Sequence, residues 1–308
     1  MLAELIEYQR PAGLAEAGAL LARTRPHTVP LAGGTALAAG AGPGVEAVVD
    51  LGRLGLNFIR VDPDGLVIGA MATLQSLVED RACRTLWWGT LSAAARSSVT
   101  RLLRNAATVG GTLASGPAAR ADLAVVLLAL EATVRVLDPD LNERWLAMSE
   151  LAGGLARPGL IVELRVPHPD PLDLLAGTAP AGAAVPSTGA AFLRVARTPS
   201  DTALLHVAAV VESSASAGCR LRVAVGGVGW EPARVPALEA ALSGTRLTDA
   251  DLDRAVATSL GSVHPPTDFR ASGRYRGEVT AVLLRRAVRQ AADRALALRF
   301  HPLIGGEE

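Results

Sequence analysis

Two short segments of this sequence could do chemistry with their backbones: Leu31-Ala32-Gly33-Gly34-Thr35-Ala36-Leu37 and Ala107-Thr108-Val109-Gly110-Gly111-Thr112-Leu113. Each sets a Gly-Gly pair behind apolar residues and follows it with a hydroxyl. Without a Cβ, such a backbone can approach an anion and turn its N–H groups toward it. Thr35 and Thr112 would add hydroxyl donors. Facing each other, the two segments would cradle a pyrophosphate with no lysine. Taken singly, spacing favours a tight turn for each pair, so their weight depends on context.

That context removes most alternatives. All 30 basic residues are arginine, which excludes a Walker-A loop and a pyridoxal Schiff base, since both need a lysine. The 30 acidic residues balance them, and phosphate-backbone binding needs a basic excess, so no nucleic-acid partner is expected. Two cysteines, Cys83 and Cys219, cannot supply the usual four ligands of a structural zinc or iron–sulfur site. They read as buried thiols. The five histidines show no metal-ligand spacing. G-x-G-x-x-G, G-x-S-x-G and H-E-x-x-H are all missing. The two charge-free stretches, 26–45 and 174–193, are broken by Gly and Pro, so no membrane span is expected. The N-terminus has no signal-peptide pattern. A cytoplasmic protein follows.

The elements that must position the glycines are legible from periodicity. Helical spacing covers 11–25. Val29-Pro30-Leu31 and AVVDL (47–51) read as strands, giving a small β-and-helix unit. NFIRV and LVIGA flank the turn Asp62-Pro63-Asp64-Gly65 as a hairpin. Helices are expected near 74–81 and 86–98, a glycine loop at 108–117, a buried helix over 122–130, and strands at 133–137 and 160–167. A Pro/Ala/Gly-rich linker follows. Three consecutive strands then favour an antiparallel sheet, and helices are expected near 237–243, 249–260 and 273–299. Glu239 reads as a surface residue.

With the segments in order, the chain resembles the FAD-binding subunits of the molybdenum hydroxylases, nearly end to end. IEYQRPAGLAEAGALLA, PLAGGTAL, AVVDLGRLGLNFI, GLVIGAMATLQSL, LLRNAATVGGTLASGPAARADLAVVLLALEATVRV, RLRVAVGGVGWEPARVPALEAALSG and DFRASGRYRGEVTAVLLRRAV carry the likeness. The fifth is the most specific. The resemblance implies an α+β fold: a two-lobed PCMH-type FAD-binding domain, then a C-terminal domain of antiparallel sheet plus helices. The expected divisions are an N-terminal lobe at 1–52, a middle lobe at 53–170, a linker at 171–188 and a C-terminal domain at 189–300.

It implies FAD stretched between the first two lobes. Leu31, Ala32, Gly33, Gly34, Thr35, Ala36 and Leu37 would meet the pyrophosphate from one side. Thr108, Val109, Gly110, Gly111 and Thr112, with Ser115, would grip it from the other. By the same resemblance Asp122 contacts the adenosine part, Ile161 lies near the flavin, and Arg194 and Asp201 lie near the isoalloxazine. Ala36, Thr112, Arg194 and Thr202 differ from the family's usual residue types. No residue is expected to act as a catalytic acid or base, and none to bind metal. The implied partners are a molybdopterin-binding large subunit and a [2Fe–2S] small subunit, in a dimer of heterotrimers. A stand-alone FAD-dependent oxidoreductase and a flavin-free scaffold subunit remain open as other readings.

Overall fold

The computed structural model describes residues 5–40, 44–115, 117–151, 159–168, 187–198, 201–214, 218–229, 231–260 and 265–300. Its described strands form three sheets. The first is parallel and three-stranded, β1 (Glu7–Gln9), β2 (Thr28–Leu31) and β3 (Ala47–Asp50), with β3 central. Val48 and Val49 on β3 are buried on opposite faces, which is why the strand opens with an unbroken apolar run, Ala47-Val48-Val49. The helix read over 11–25 is shorter, α1 (Leu14–Leu21). Its N-cap is Gly13, and Glu16 in the first turn accepts the Ala12 amide at 2.8 Å just ahead of it, so Pro11 stays outside the helix.

The second sheet is antiparallel, with strands β4 (Ile59–Asp62), β5 (Gly65–Gly69), β6 (Thr133–Leu137), β7 (Glu143–Ala147) and β8 (Leu160–Pro167) in the order β4-β5-β8-β6-β7. The edge strand β7 was not legible: ERWLA is largely exposed and lacks an apolar alternation. The helix expected near 74–81 is two, α3 (Leu74–Glu79) and α4 (Arg81–Thr85), because Asp80 turns extended and caps the second through the Cys83 amide at 2.9 Å. The helix expected over 86–98 begins only at Thr90 (α5, Thr90–Ser98). Trp87, Trp88 and Gly89 have φ of 46°, 57° and 69°, a turn that buries the Trp87 ring. After α5 come α6 (Arg101–Arg104), α7 (Val109–Ala114), α8 (Pro117–Ala129) and α9 (Met148–Leu151).

The third sheet is antiparallel too, with β9 (Ser187–Val195), β10 (Leu205–Ser214), β11 (Gly218–Gly226) and β12 (Ala233–Arg234) in the order β12-β11-β10-β9. Ser187 and Thr188, read as the linker's end, open β9; residues 171–186 of that linker lie outside the described residues. Helices α10 (Pro236–Leu242), α11 (Asp249–Leu260) and α12 (Gly273–Phe300) complete this unit. Glu239 is not a free surface residue. Its carboxylate accepts the Val223 amide at 2.8 Å and pairs with Arg234 at 2.5 Å.

The sheet is covered on both faces. On β10, Val207, Ala209 and Val211 join the core under α10–α12, while Ala208 and Val210 pack toward α8. Where its side chains are described, helix α8 is buried all round and apolar except for Asp122, as suits a helix between two packed layers. Burial of Leu123 and Leu127, both inaccessible to solvent, stabilises this contact by ~2 kcal/mol each. At its end Glu131 receives Arg222 (3.1 Å), Arg220 and Arg234 (both 3.4 Å) from the third sheet. A smaller core joins the first unit to the second: Ala17, Val49 and Leu51 pack with Leu137, Leu160 and Val162.

Candidate functional site

A cleft of about 520 Å³ runs along the seam between the first two units. That volume suits a cofactor-sized ligand. Leu37, Ala36, Thr35, Gly34, Gly33 and Ala32 form one wall. Thr108, Gly110, Gly111 and Ser115 form the other, with Ile161 from β8 between them. The two glycine pairs, 77 residues apart in sequence, therefore do face each other. Among the described lining residues none is charged, and none is His or Cys.

The first segment is a strand-to-helix turn. Gly34 takes φ of +70°, a left-handed conformation that glycine adopts without strain, and leads into the single turn α2 (Thr35–Ala38). A Cβ on Gly33 would overlap the Ala106 carbonyl oxygen, so only glycine lets the two walls meet here. The backbone N–H groups of Gly33, Gly34, Thr35 and Ala36 have no acceptor among the described residues. Such open amides at a helix start are what a pyrophosphate requires.

The second segment differs from the expected loop. Thr108 caps α7, so the glycine pair sits in a helix's first turn. Its amides are already used: Val109 donates to Ala72 O and Gly110 to Ala70 O (both 2.8 Å), Gly111 to Thr108 Oγ1 (3.1 Å) and Thr112 to Thr108 O (2.8 Å). Ser115 Oγ donates to Gly111 O at 2.7 Å. This wall offers a surface without side chains plus hydroxyls, while the first wall offers the amides. Val109 and Thr112 are buried behind it, and Leu31 lies in β2 beside it.

Asp122, Arg194 and Asp201 are not among the cleft-lining residues. Asp122 is buried on α8 and faces the third sheet. His206 Nδ1 lies 2.5 Å from its Oδ1, and Arg194 Nε lies 3.4 Å away. Arg194 also donates to the Asp201 carbonyl oxygen at 2.6 Å, while the Asp201 carboxylate pairs with Arg197 at 3.4 Å. Removing one partner from a buried charge cluster leaves the others desolvated without it. Asp122→Ala is therefore expected to lower unfolding free energy by ~3 kcal/mol in urea titration. An unchanged midpoint would show that the cluster does not hold α8 to the third sheet.

The comparisons fit this geometry. Residues 4–169 match the family described as the FAD binding domain in molybdopterin dehydrogenase. Residues 190–291 match the CO dehydrogenase flavoprotein C-terminal domain. The chain belongs to this family of flavin-binding subunits. Among its relatives is the carbon monoxide dehydrogenase medium chain of Afipia carboxidovorans, 29% identical over 315 residues and covering 96% of this chain and 99% of that one. The glyceraldehyde dehydrogenase medium chain of Sulfolobus acidocaldarius is 27% identical, covering 80% and 83%. A solved Cu,Mo-CO dehydrogenase in cyanide-inactivated form superposes with a TM-score of 0.81 at 26% identity, covering 96% of this chain and all of that one.

An FAD-binding site of this kind fits the residues present. The cleft combines open amides, hydroxyls and a side-chain-free wall, enough for an anionic linker without a cation. Sequence reasoning missed Met71, Ala70 and Leu160 as lining residues. Met71 and Ala70 follow β5, and Leu160 opens β8. It also missed His206 as the partner of Asp122. Strand-end position could have nominated the first three; nothing local to His206 signals its partner 84 residues away.

Proposed function

We propose that this chain is the FAD-binding electron-transfer subunit of a molybdopterin/[2Fe–2S]/FAD hydroxylase complex. It takes electrons from iron–sulfur clusters on a small subunit and passes them to an external acceptor. A molybdopterin-binding large subunit would oxidise the substrate, and the assembly would be a cytoplasmic dimer of heterotrimers. We also keep the divisions at 1–52, 53–170, 171–188 and 189–300 as its working domains. Among the described residues no helix is long and apolar enough to cross a membrane.

The uncharged cleft with four open amides carries this reading. Gly33, Gly34, Thr35 and Ala36 would bind the pyrophosphate by N–H donation. Gly110 and Gly111 would let it lie close against the opposite wall. Ile161, nearly inaccessible to solvent, would back the flavin and keep water from that side. Bound FAD would supply the exchange between one-electron and two-electron carriers. Asp122, Arg194 and Asp201 remain proposed contacts through the resemblance.

The test is the purified chain. It is expected to carry one FAD that denaturation releases fully into solution, because no His or Cys lines the described cleft. Dithionite should bleach the flavin. Anaerobic mixing with CO, an aldehyde or a purine should not, unless both partner subunits are added. Flavin that stays with the precipitated chain would overturn the non-covalent site. Bleaching of the lone chain by one of those substrates would instead establish a stand-alone oxidoreductase.

A further inference from the structure

One residue of the cleft is used neither by the glycine segments nor by the proposed electron transfer: Met71, the only sulfur-bearing residue among the described lining residues. The chain has three methionines. Met1 lies outside the described residues, and Met148 is only 1% exposed, away from the cleft. Met71 is partly buried and borders the cleft's space, so it is the methionine that a small solute can reach there.

The backbone that carries Met71 is pinned on both sides. Ala70 N–H donates to Val162 O (2.9 Å), Met71 N–H to Leu56 O (3.0 Å) and Ala72 N–H to Gly69 O (3.0 Å). The Ala70 and Ala72 carbonyls in turn accept the Gly110 and Val109 amides of the second glycine segment, both at 2.8 Å. This turn cannot move aside without pulling on the cleft wall. On its inner side Met71 packs against the seam core, where the side chains of Leu51, Leu56, Leu160 and Val162 carry no hydrogen-bond donor. A polar atom added to Met71 finds no side-chain partner in that core and is driven into the cleft.

Oxidation adds such an atom. The thioether sulfur attacks one oxygen of hydrogen peroxide, the O–O bond breaks, an S–O bond forms, and the second oxygen leaves as water. The sulfur gives up two electrons and the peroxide takes them. The product, methionine sulfoxide, is polar where the thioether was apolar and adaptable. A thioether also makes a favourable contact with an aromatic ring, and both ring systems of FAD are aromatic.

We propose that Met71 is an oxidation site that governs loading of the cleft. In the empty chain a peroxide converts it to the sulfoxide, which weakens FAD binding; in the loaded chain the cofactor shields it. This rests on reading the cleft as the FAD site.

The test exposes the full-length protein to hydrogen peroxide in two forms, stripped of flavin and loaded with it. Peptide mass spectrometry should find one added oxygen on Met71 in the stripped form, far less in the loaded form, and little on Met148 in either. FAD titration of the oxidised, stripped protein should show affinity lowered about tenfold, the scale of a lost sulfur–ring contact. Methionine sulfoxide reductase should restore it. Met71→Leu should bind FAD somewhat more weakly than the wild type and lose nothing further to peroxide. Met71→Gln, polar and of similar length, should bind as the oxidised protein does with no treatment, its fold checked by circular dichroism.

Equal oxidation of Met71 in the stripped and loaded forms would overturn the inference. So would wild-type affinity with Met71 fully oxidised, or an equal loss to peroxide in Met71→Leu, which would put the damage on another residue. Untreated protein that binds no FAD would sink the flavin reading and the inference with it, a failure visible before any peroxide is added.

Discussion

Gly111→Asp is expected to purify as a folded chain without FAD. The position lines the cleft, and a Cβ there would stand 3.5 Å from Ala32 Cβ on the opposite wall and 2.8 Å from Thr108 Oγ1. The new carboxylate would therefore point into the space between the two glycine segments. At about 4 Å from a phosphate charge it would repel by ~4 kcal/mol in surroundings of intermediate dielectric, or about a thousandfold in affinity. It would also block the close approach that the second wall provides in place of amides. The checks are flavin absorbance per chain and circular dichroism. Full flavin content would reduce the second segment to a structural turn.

Gly33→Ala should lose both cofactor and stability. Its methyl group would overlap the Ala106 carbonyl oxygen, and a backbone atom cannot swing aside as a side chain can. The walls must separate, which strains the seam where Val49 and Leu51 pack against Leu160 and Val162. Such overpacking costs ~3 kcal/mol. The same shift would move the amides of Gly34 and Thr35 away from the opposite wall. Thermal melting and FAD titration together separate this from Gly111→Asp, where only the titration should change. A Gly33→Ala protein with wild-type melting and affinity would show that the two walls need not touch.

The glycine segments were legible because each announces itself locally: two Cβ-free residues, a hydroxyl, and an apolar approach. Their facing geometry was implied by family resemblance, and the cleft brings Gly33, Gly34, Gly110 and Gly111 to opposite walls. The division of labour between them was not legible. The amides of Val109 and Gly110 are taken by Ala72 and Ala70, almost 40 residues upstream, and nothing in VGGT distinguishes an occupied N–H from a free one. The RLLR turn likewise reads as an ordinary helical fragment until its leucines are found outside.

By itself, the sequence determined which chemistries were impossible, where the backbone could approach an anion, and the order of the longer, strongly periodic helices and strands. It could do so because the absence of lysine, the freedom of glycine and the period of apolar residues are local properties. The tertiary structure alone decided that Asp122 faces His206 and Arg194, that Glu239 is held by Arg234 and the Val223 amide, and that Trp87 and Trp88 break a helix. These outcomes depend on which layers pack together. Asp122 has the same identity whatever it faces, and only the packing of α8 against β10 and β11 sets it against His206 and Arg194.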